Sequence, residues 1–287
     1  MIRSGWLASF IAFAEELNFT RAAARLHVSQ PAFHVQIRKL GEALGVTLYE
    51  RVGRGLALTA KGRELLAFAR ETRDETNAFL ERLSGDGTPA TTVLAAGEGT
   101  LLYVLGAALQ AHAAQGARLR ILTRDRHGTL EALATREAHL GVAALEVVPD
   151  GVRATSLRRA GMVLAMRRGH RLARAARVHL RDLTGERLIV PPPEARHRQT
   201  LARVLGAAGI DWEIALEATG WPLMLEYTRL GAGLAIVNDI CRLPAGTVAV
   251  PIPELPAIDY YLLESVGRRR AASVESLRAV IIEAFKR

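Results

Sequence analysis

Cysteine is nearly absent from this 287-residue chain: Cys241 is the only one. A single thiol closes no intrachain disulfide and builds no thiolate metal cluster, and it excludes a sensor that works through an intramolecular cysteine pair. The expected setting is therefore a reducing compartment, the cytoplasm. Lysine is almost as scarce, with Lys39, Lys61 and Lys286 the only three among 38 basic residues. Arginine is spread along the whole chain, which reads mostly as genome composition. No apolar run approaches the length of a membrane-spanning helix, and there is no internal repeat or low-complexity tract. The eight histidines are scattered, with no pair at metal-ligand spacing and no convergent nucleophile–base set, so no metal site and no cofactor are expected.

What is present is ample apolar material and an excess of positive charge. Hydrophobic residues make up 49% of the chain, enough for sizeable cores, and the length suits two or three domains. A formal net charge of +9 favours a polyanionic partner. The opening "MIRSGWLASFIAFAEE" imitates a signal peptide through Arg3, its apolar run and Ala12-Phe13-Ala14. Against that, Leu7, Phe10, Ile11, Ala14 and Leu17 fall at helical spacing in one stripe that runs past the supposed cleavage point. A structural first helix is expected.

The first 62 residues read as three helices and a hairpin. A second helix is expected from Thr20, a good N-cap, where Ala22, Ala23 and Ala24 permit close packing. The turn "HVS" leads into a third helix capped by Ser29, with Pro31 in its first turn, where a missing amide hydrogen costs little. Phe33, Ile37, Leu40 and Leu44 form its buried face and Gly45 ends it. "LYERVGRGLALT" reads as two strands around Gly53-Arg54-Gly55. From Thr59 a longer helix carries Leu65, Ala69, Thr72, Thr76, Phe79 and Leu83 at heptad spacing, a weak coiled-coil seam that suits dimerisation. The alternative is an amphipathic helix packed on its own domain. "SGDGTPA" at 84–90 is the expected flexible break. Beyond it strands alternate with helices, the mark of α/β units around mostly parallel sheets, and two lobes with a cleft are expected.

"FTRAAARLHVSQPAFHVQIRKL" is a helix-turn-helix by length, turn and buried spacing. Such a unit reads duplex DNA by laying its second helix in the major groove with the N-terminal exposed residues at base edges. Gln30, Pro31, His34 and Arg38 share that exposed face. Gln30 can pair with adenine, Pro31 can press on a thymine methyl, and Arg38 and Lys39 lie where phosphates pass. Arg51 and Arg54 on the hairpin can reach a neighbouring backbone or the minor groove. Residues 1–62 hold eight Lys/Arg against four Glu, a net +4, so geometry rather than charge carries this reading. A helical protein-interaction module with solvated arginines would share the pattern.

The stretch "FAEELNFTRAAARLHVSQPAFHVQIRKLGEALGVTLYERVGRGLALTAKG" resembles the winged helix-turn-helix of LysR-type transcriptional regulators over its whole length. "RRGHRLARAARVHLRDLTGERLIVPPP" is similar to the part of that family's effector domain where the second lobe begins. The resemblance implies an α/β protein with a winged helix-turn-helix (1–62, with Thr20 and Ser29 joining the DNA-facing set), a linker or dimerisation helix and hinge (63–90), and an effector domain (91–287). That domain would have two Rossmann-like lobes resembling a periplasmic binding protein: lobe 1 about 91–160 and 265–287, lobe 2 about 161–264. It further implies promoter DNA as partner, a homodimer or dimer-of-dimers tetramer, a small organic effector in the cleft, RNA polymerase as a candidate contact, and no membrane. Two departures stand out. His34 and Val35 occupy positions where many members have serine and a basic residue, so one phosphate contact is lost. "REAHLGVA" replaces a "GELDLAI"-like run, with His139 where an acid is usual.

Matching the family's pattern places cleft candidates where strands meet helix starts. Glu98 and Thr100 follow the first strand and Thr123 ends the second. Arg196 and His197 open a later helix, and Thr219 and Trp221 flank another. The arginines and helix starts favour an anionic organic ligand. Glu98 favours one bearing an amine or hydroxyl, and both remain open. Rival readings are a periplasmic-type solute receptor or a two-lobed enzyme with an N-terminal interaction domain. The receptor has no use for the first 62 residues. A dinucleotide enzyme would need a third glycine after Gly97 and Gly99, and none stands at 102.

Overall fold

The computed structural model describes residues 4–84, 91–267 and 271–285. Its first helices are α1 (Ser4–Glu16), α2 (Phe19–Arg25) and α3 (Gln30–Leu44), followed by the hairpin β1 (Tyr49–Val52) and β2 (Gly55–Leu58). Phe10, Phe13, Phe33, Ile37 and Leu40 close the core between the helices, each essentially inaccessible to solvent. Burial of each such side chain contributes about 1.5–3 kcal/mol. Leu7, Phe10 and Ile11 of the opening stripe lie in this core and Ala14 packs against it, as expected of a structural helix. Leu17, however, falls beyond the end of α1, at φ 44°, and is exposed. Ser29 caps α3, its Oγ accepting from the Ala32 amide, and Gly45 ends it in the left-handed region at φ 66°. Helix α2 begins earlier than its sequence suggests. Asn18, not Thr20, is the N-cap and accepts from the Arg21 amide at 3.0 Å. The asparagine amide oxygen caps the free amides as well as a threonine hydroxyl does, and Phe19 gains a place in the core by joining the first turn.

The linker helix α4 (Ala60–Ser84) is 25 residues long. Thr59 Oγ1 accepts from the Gly62 amide at 3.0 Å and holds its first turn. Leu65, Leu66 and Ala69 are buried in the same core as α1 and α3. The first half of the expected seam therefore packs on its own domain and is not offered to a partner chain. Thr72 and Thr76 turn their hydroxyls back to the Phe68 and Thr72 carbonyls, while Phe68 and Phe79 are about half exposed at 52% and 51%. Of the break expected at 84–90, Ser84 is the last residue of α4, and residues 85–90, like the Leu83 side chain, lie outside the described residues.

Two five-stranded sheets follow. The first runs in the order β4-β3-β5-β12-β6, with β3 (Thr92–Ala96), β4 (Leu119–Thr123), β5 (Leu140–Ala144), β6 (Val152–Ala160) and β12 (Ile258–Ser265). It packs on α5 (Gly106–Ala113), α6 (Arg126–Ala134) and α9 (Ala272–Ala284). The second runs β11-β7-β10-β8-β9, with β7 (Met162–Arg167), β8 (Arg187–Val190), β9 (Glu213–Glu217), β10 (Leu234–Asn238) and β11 (Thr247–Pro251). Helices α7 (Arg196–Ala207) and α8 (Trp221–Leu230) flank it.

Neither sheet is mostly parallel. β3 pairs in parallel with β4 and β5, but β12 pairs antiparallel with β5 and β6. The second sheet is divided in the same way. The antiparallel strands are those adjoining the two crossings between lobes, where the chain enters one sheet directly from the other. The return crossing falls between Ile252 and Ile258 rather than after 264, because β12 completes the first sheet. The other crossing is at Gly161, and it is clamped. Its amide donates to Asp239 Oδ2 at 3.1 Å, and Asn238 Nδ2 donates to its carbonyl at 3.3 Å. Asn238 is fully buried and accepts from the Tyr260 hydroxyl at 3.0 Å.

Candidate functional site

The first surface is the outer face of α3. With Phe33, Ile37 and Leu40 turned inward, Gln30, Pro31, His34, Arg38 and Lys39 are exposed. Gln30, His34 and Arg38 follow one another a turn apart, which is the arrangement a groove-reading helix requires. The turn before α3 uses His27 in the left-handed region, at φ 55°, and the Val28 amide closes back on the Ala23 carbonyl. Ser9 Oγ donates to Gln36 Oε1 at 2.7 Å and fixes α3 against α1. His34 is not a loose side chain, for its ring lies 4.7 Å from that of Phe19. Arg38 is engaged by Glu42 at 3.4 Å in an exposed i,i+4 pair. Thr20 is exposed in the first turn of α2 and Ser29 at the cap. Arg51 and Arg54 are exposed on the hairpin, where Gly53 takes φ 58° to make the two-residue turn.

The second site is a cavity of about 440 Å³ between the lobes. Its apolar walls include Val142 and Ile258 from the first lobe and Met162 and Leu201 from the second. Of the seven side chains expected in the cleft, Thr100, Arg196, His197 and Trp221 line it. Glu98, Thr123 and Thr219 do not. The Glu98 carboxylate lies against Gly220 of the other lobe. Thr123 ends an edge strand one position too far out. Thr219 is exposed just before the turn that Gly220 makes at φ 84°. The lining also holds Arg126, Glu146, Asp259 and Tyr260, which sequence spacing did not single out as ligands. Arg126 opens a helix, so the strand–helix alternation could have pointed to it. Tyr260 and Asp259 come from β12, whose place beside β5 requires the topology.

The charges in the cavity largely cancel. Arg196 is paired across the cleft with Glu146, and Asp259 lies 3.8 Å from Arg159. Arg126 has no ion-pair partner among the described residues. Two helix starts add positive potential, since neither α7 nor α8 has a side-chain cap on its free amides. Thr100 is 8% exposed. His197 Nε2 is 2.7 Å from the Ile236 carbonyl oxygen, and burial lowers its pKa, so it is neutral at physiological pH and donates there through Nε2–H. Its ring meets Trp221 edge to face at 6.0 Å.

Cys241 is buried, and burial pushes its thiol up to about 12. That opposes thiolate redox chemistry at neutral pH. Among the described residues no group of three or more His, Cys, Asp or Glu side chains is placed to hold a metal ion. No helix among them is long and apolar enough to cross a membrane.

Residues 5–63 match the family model for the bacterial regulatory helix-turn-helix protein, lysR family. Residues 87–286 match the LysR substrate binding domain. The transcriptional regulator XapR of Escherichia coli is 26% identical over 281 residues, covering 96% of both chains. TfdS of Cupriavidus pinatubonensis is 31% identical over 260 residues, covering 86% of this chain and 84% of that protein. Among solved structures, a full-length OxyR variant from Pseudomonas aeruginosa superposes with a TM-score of 0.75 at 20% identity, covering 98% and 95% of the two chains. CbnR in complex with its target DNA gives 0.62 at 22% identity, covering 99% and 100%.

Proposed function

Because the chain belongs to the LysR family of bacterial helix-turn-helix regulators, and so is a DNA-binding, ligand-responsive transcriptional regulator, we propose how its parts divide that work. Residues 1–62 read promoter DNA through α3 in the major groove. Gln30, Pro31 and His34 face base edges, Arg38 and Lys39 meet phosphates, and Thr20 and Ser29 flank that surface. Arg51 and Arg54 steady the neighbouring backbone. The observation that carries this is the division of α3 into a buried Phe33-Ile37-Leu40 face and an exposed Gln30-His34-Arg38 face.

Residues 63–90 link and dimerise, with α4 meeting a second copy through its outer half. Residues 91–287 hold the effector in the interlobe cavity. The effector is a small organic anion with an apolar body. Its charged end is held by the Thr100 hydroxyl, the uncapped starts of α7 and α8, and Arg126, while Trp221 and the aliphatic walls enclose the rest. Glu98, set aside from the cavity, no longer argues for an amine. The chain binds this ligand without turning it over. Of the cavity's proton-carrying side chains, His197 and Tyr260 are committed to Ile236 and Asn238, and Glu146 and Asp259 lie against Arg196 and Arg159. Its place of work is the cytoplasm, in keeping with one buried thiol.

The test is capture of sheared genomic DNA by the purified protein, followed by titration of the recovered duplexes at several salt concentrations. A steep salt slope is expected, with recovered sites bound at least ~10³-fold tighter than random duplex. Equal affinity for random duplex would remove the base-reading role of α3.

A further inference from the structure

Three polar contacts join the linker helix to lobe 1, and they keep step along both segments. Arg70 Nη1 donates to the Thr135 carbonyl at 3.0 Å. Glu71 Oε1 lies 3.0 Å from Arg136 Nη1, an ion pair rather than an aligned hydrogen bond. Asp74 Oδ2 lies 3.3 Å from His139 Nε2. Positions 70, 71 and 74 of α4 thus meet positions 135, 136 and 139, the turn between α6 and β5. All five side chains involved are mostly buried, Arg70 to 5% exposure. The same Arg70 guanidinium reaches Glu15 Oε1 of α1, in the DNA-reading domain, at 3.4 Å.

The turn is built to hold one shape. Arg136 sits in the left-handed region at φ 55°, a conformation that a non-glycine residue keeps only when its surroundings impose it. The Val93 amide donates to His139 Nδ1 at 2.8 Å. That leaves the proton of the neutral ring on Nε2, aimed at Asp74.

Both arms leaving the turn end in the cavity. Helix α6 leads back from Ala134 to Arg126, about 13 Å at 1.5 Å per residue, and Arg126 lines the cavity. Strand β5 leads forward from Leu140, and residues 142–146 line the cavity. One helix and one strand, both rigid, therefore span the distance between the ligand and the linker.

We propose that the 135–139 turn, gripped by Arg70, Glu71 and Asp74, is the joint that couples the state of the cavity to the orientation of the DNA-reading domain. The proposal rests on the regulator reading above. Mostly buried charged contacts do not stretch gradually. Losing one leaves its partner's charge unpaired in a poorly hydrated place, so the joint favours two discrete arrangements. Coupling is reciprocal, so DNA bound at α3 must also alter the elements that line the cavity.

The experiment needs no knowledge of the effector. Amide hydrogen exchange is followed in the full-length protein with and without a duplex taken from its own recovered sites. In the wild type, exchange across 126–134 and 140–146 is expected to change by roughly 5-fold or more on duplex binding. Asp74→Leu, which fills the space but cannot accept from His139 Nε2–H, and the Glu71→Ala/Asp74→Ala pair should bind duplex within roughly threefold of wild type and lose that change. Thr72→Ala, whose hydroxyl bonds only within α4, should keep it. The joint is overturned if the wild type shows no change in those peptides, or if Asp74→Leu retains it. Loss of duplex binding by Asp74→Leu would also overturn it, by making the contact a scaffold of the reading domain. Failure of the regulator reading has a different signature, namely no preference of the wild type for recovered over random duplex.

Discussion

The imidazole of His34 stands 4.7 Å, centroid to centroid, from the ring of Phe19, tilted by 53°. Phe19 is the first residue of α2 and packs on the core shared with Phe13 and Tyr49. The reading face of α3 therefore includes a ring whose orientation is set before DNA arrives, and pre-orientation lowers the cost of ordering on binding. His34→Ala should cost about 1–3 kcal/mol of affinity for the preferred site and relax selection at one base position. Binding measured against a library of single-base site variants checks this. A uniform loss across the library would mean that His34 meets a phosphate.

Arg38 has a competitor for its charge. Glu42 holds it at 3.4 Å, with both side chains about 60% exposed, a pairing worth only a few tenths of a kcal/mol. Glu42→Gln should release Arg38 and remove a negative charge from the DNA side, so duplex affinity should rise by roughly 2- to 10-fold at low ionic strength. The gain should vanish in high salt. Arg38→Gln should instead lower the slope of log K against log salt by about 1. Fluorescence anisotropy titrations at four salt concentrations distinguish the two.

His112, fully buried on α5, has neither ring nitrogen hydrogen-bonded. Burial lowers its pKa below the ordinary 6.5, and the same holds for His197. The unfolded chain therefore takes up these protons first as pH falls. Stability should be fully present above about 6.5 and should decline below it until the folded-state values are passed. Replacing His112 by leucine removes two unpaired polar atoms from an apolar place, where each costs about 1–3 kcal/mol. His112→Leu should raise the thermal midpoint and flatten its fall between neutral pH and pH 5, as followed by calorimetry.

Gly62 lets the start of α4 pass beneath the hairpin. A Cβ there would stand 1.9 Å from the Leu48 carbonyl oxygen, a backbone atom that cannot swing aside. Gly62→Ala should therefore cost at least about 1–3 kcal/mol and loosen Leu65 and Leu66 from the domain they complete. Chemical denaturation followed at Trp6, together with duplex affinity, should show both losses. Gly5→Ala, where nothing lies within 4 Å, should show neither.

The reading domain was legible because its signals are local. Ser29, Pro31 and Gly45 act on the turn in which they sit, and the spacing of Phe33, Ile37 and Leu40 needs only a helix to have meaning. The cap of α2 was misplaced because Asn18 and Thr20 are both competent caps, and what decides between them is the fit of Phe19 in a core assembled from four elements. Two strands carry weak sequence signals, for different reasons. β6 is an edge strand, and Arg153, Arg158 and Arg159 give it the polarity of a loop while blunting the edge. β11 is only five residues long and ends in Pro251. In the cavity, Thr100, Arg196, His197 and Trp221 were accessible because each adjoins a helix start. Glu146 and Tyr260 were not, because their nearness to those residues depends on which strands lie side by side.

That strand order also sets a timetable for synthesis. β12 lies inside the first sheet, between β5 and β6, yet it is the last strand to leave the ribosome. The second sheet is contained within residues 162–251 and has every strand it needs while the first still lacks an inner one. The later lobe therefore matures first, and the earlier one waits with an open seam that only β12 can close. A chain cut before Ile258 would forfeit the lobe that begins at Thr92, not the one it had most recently made.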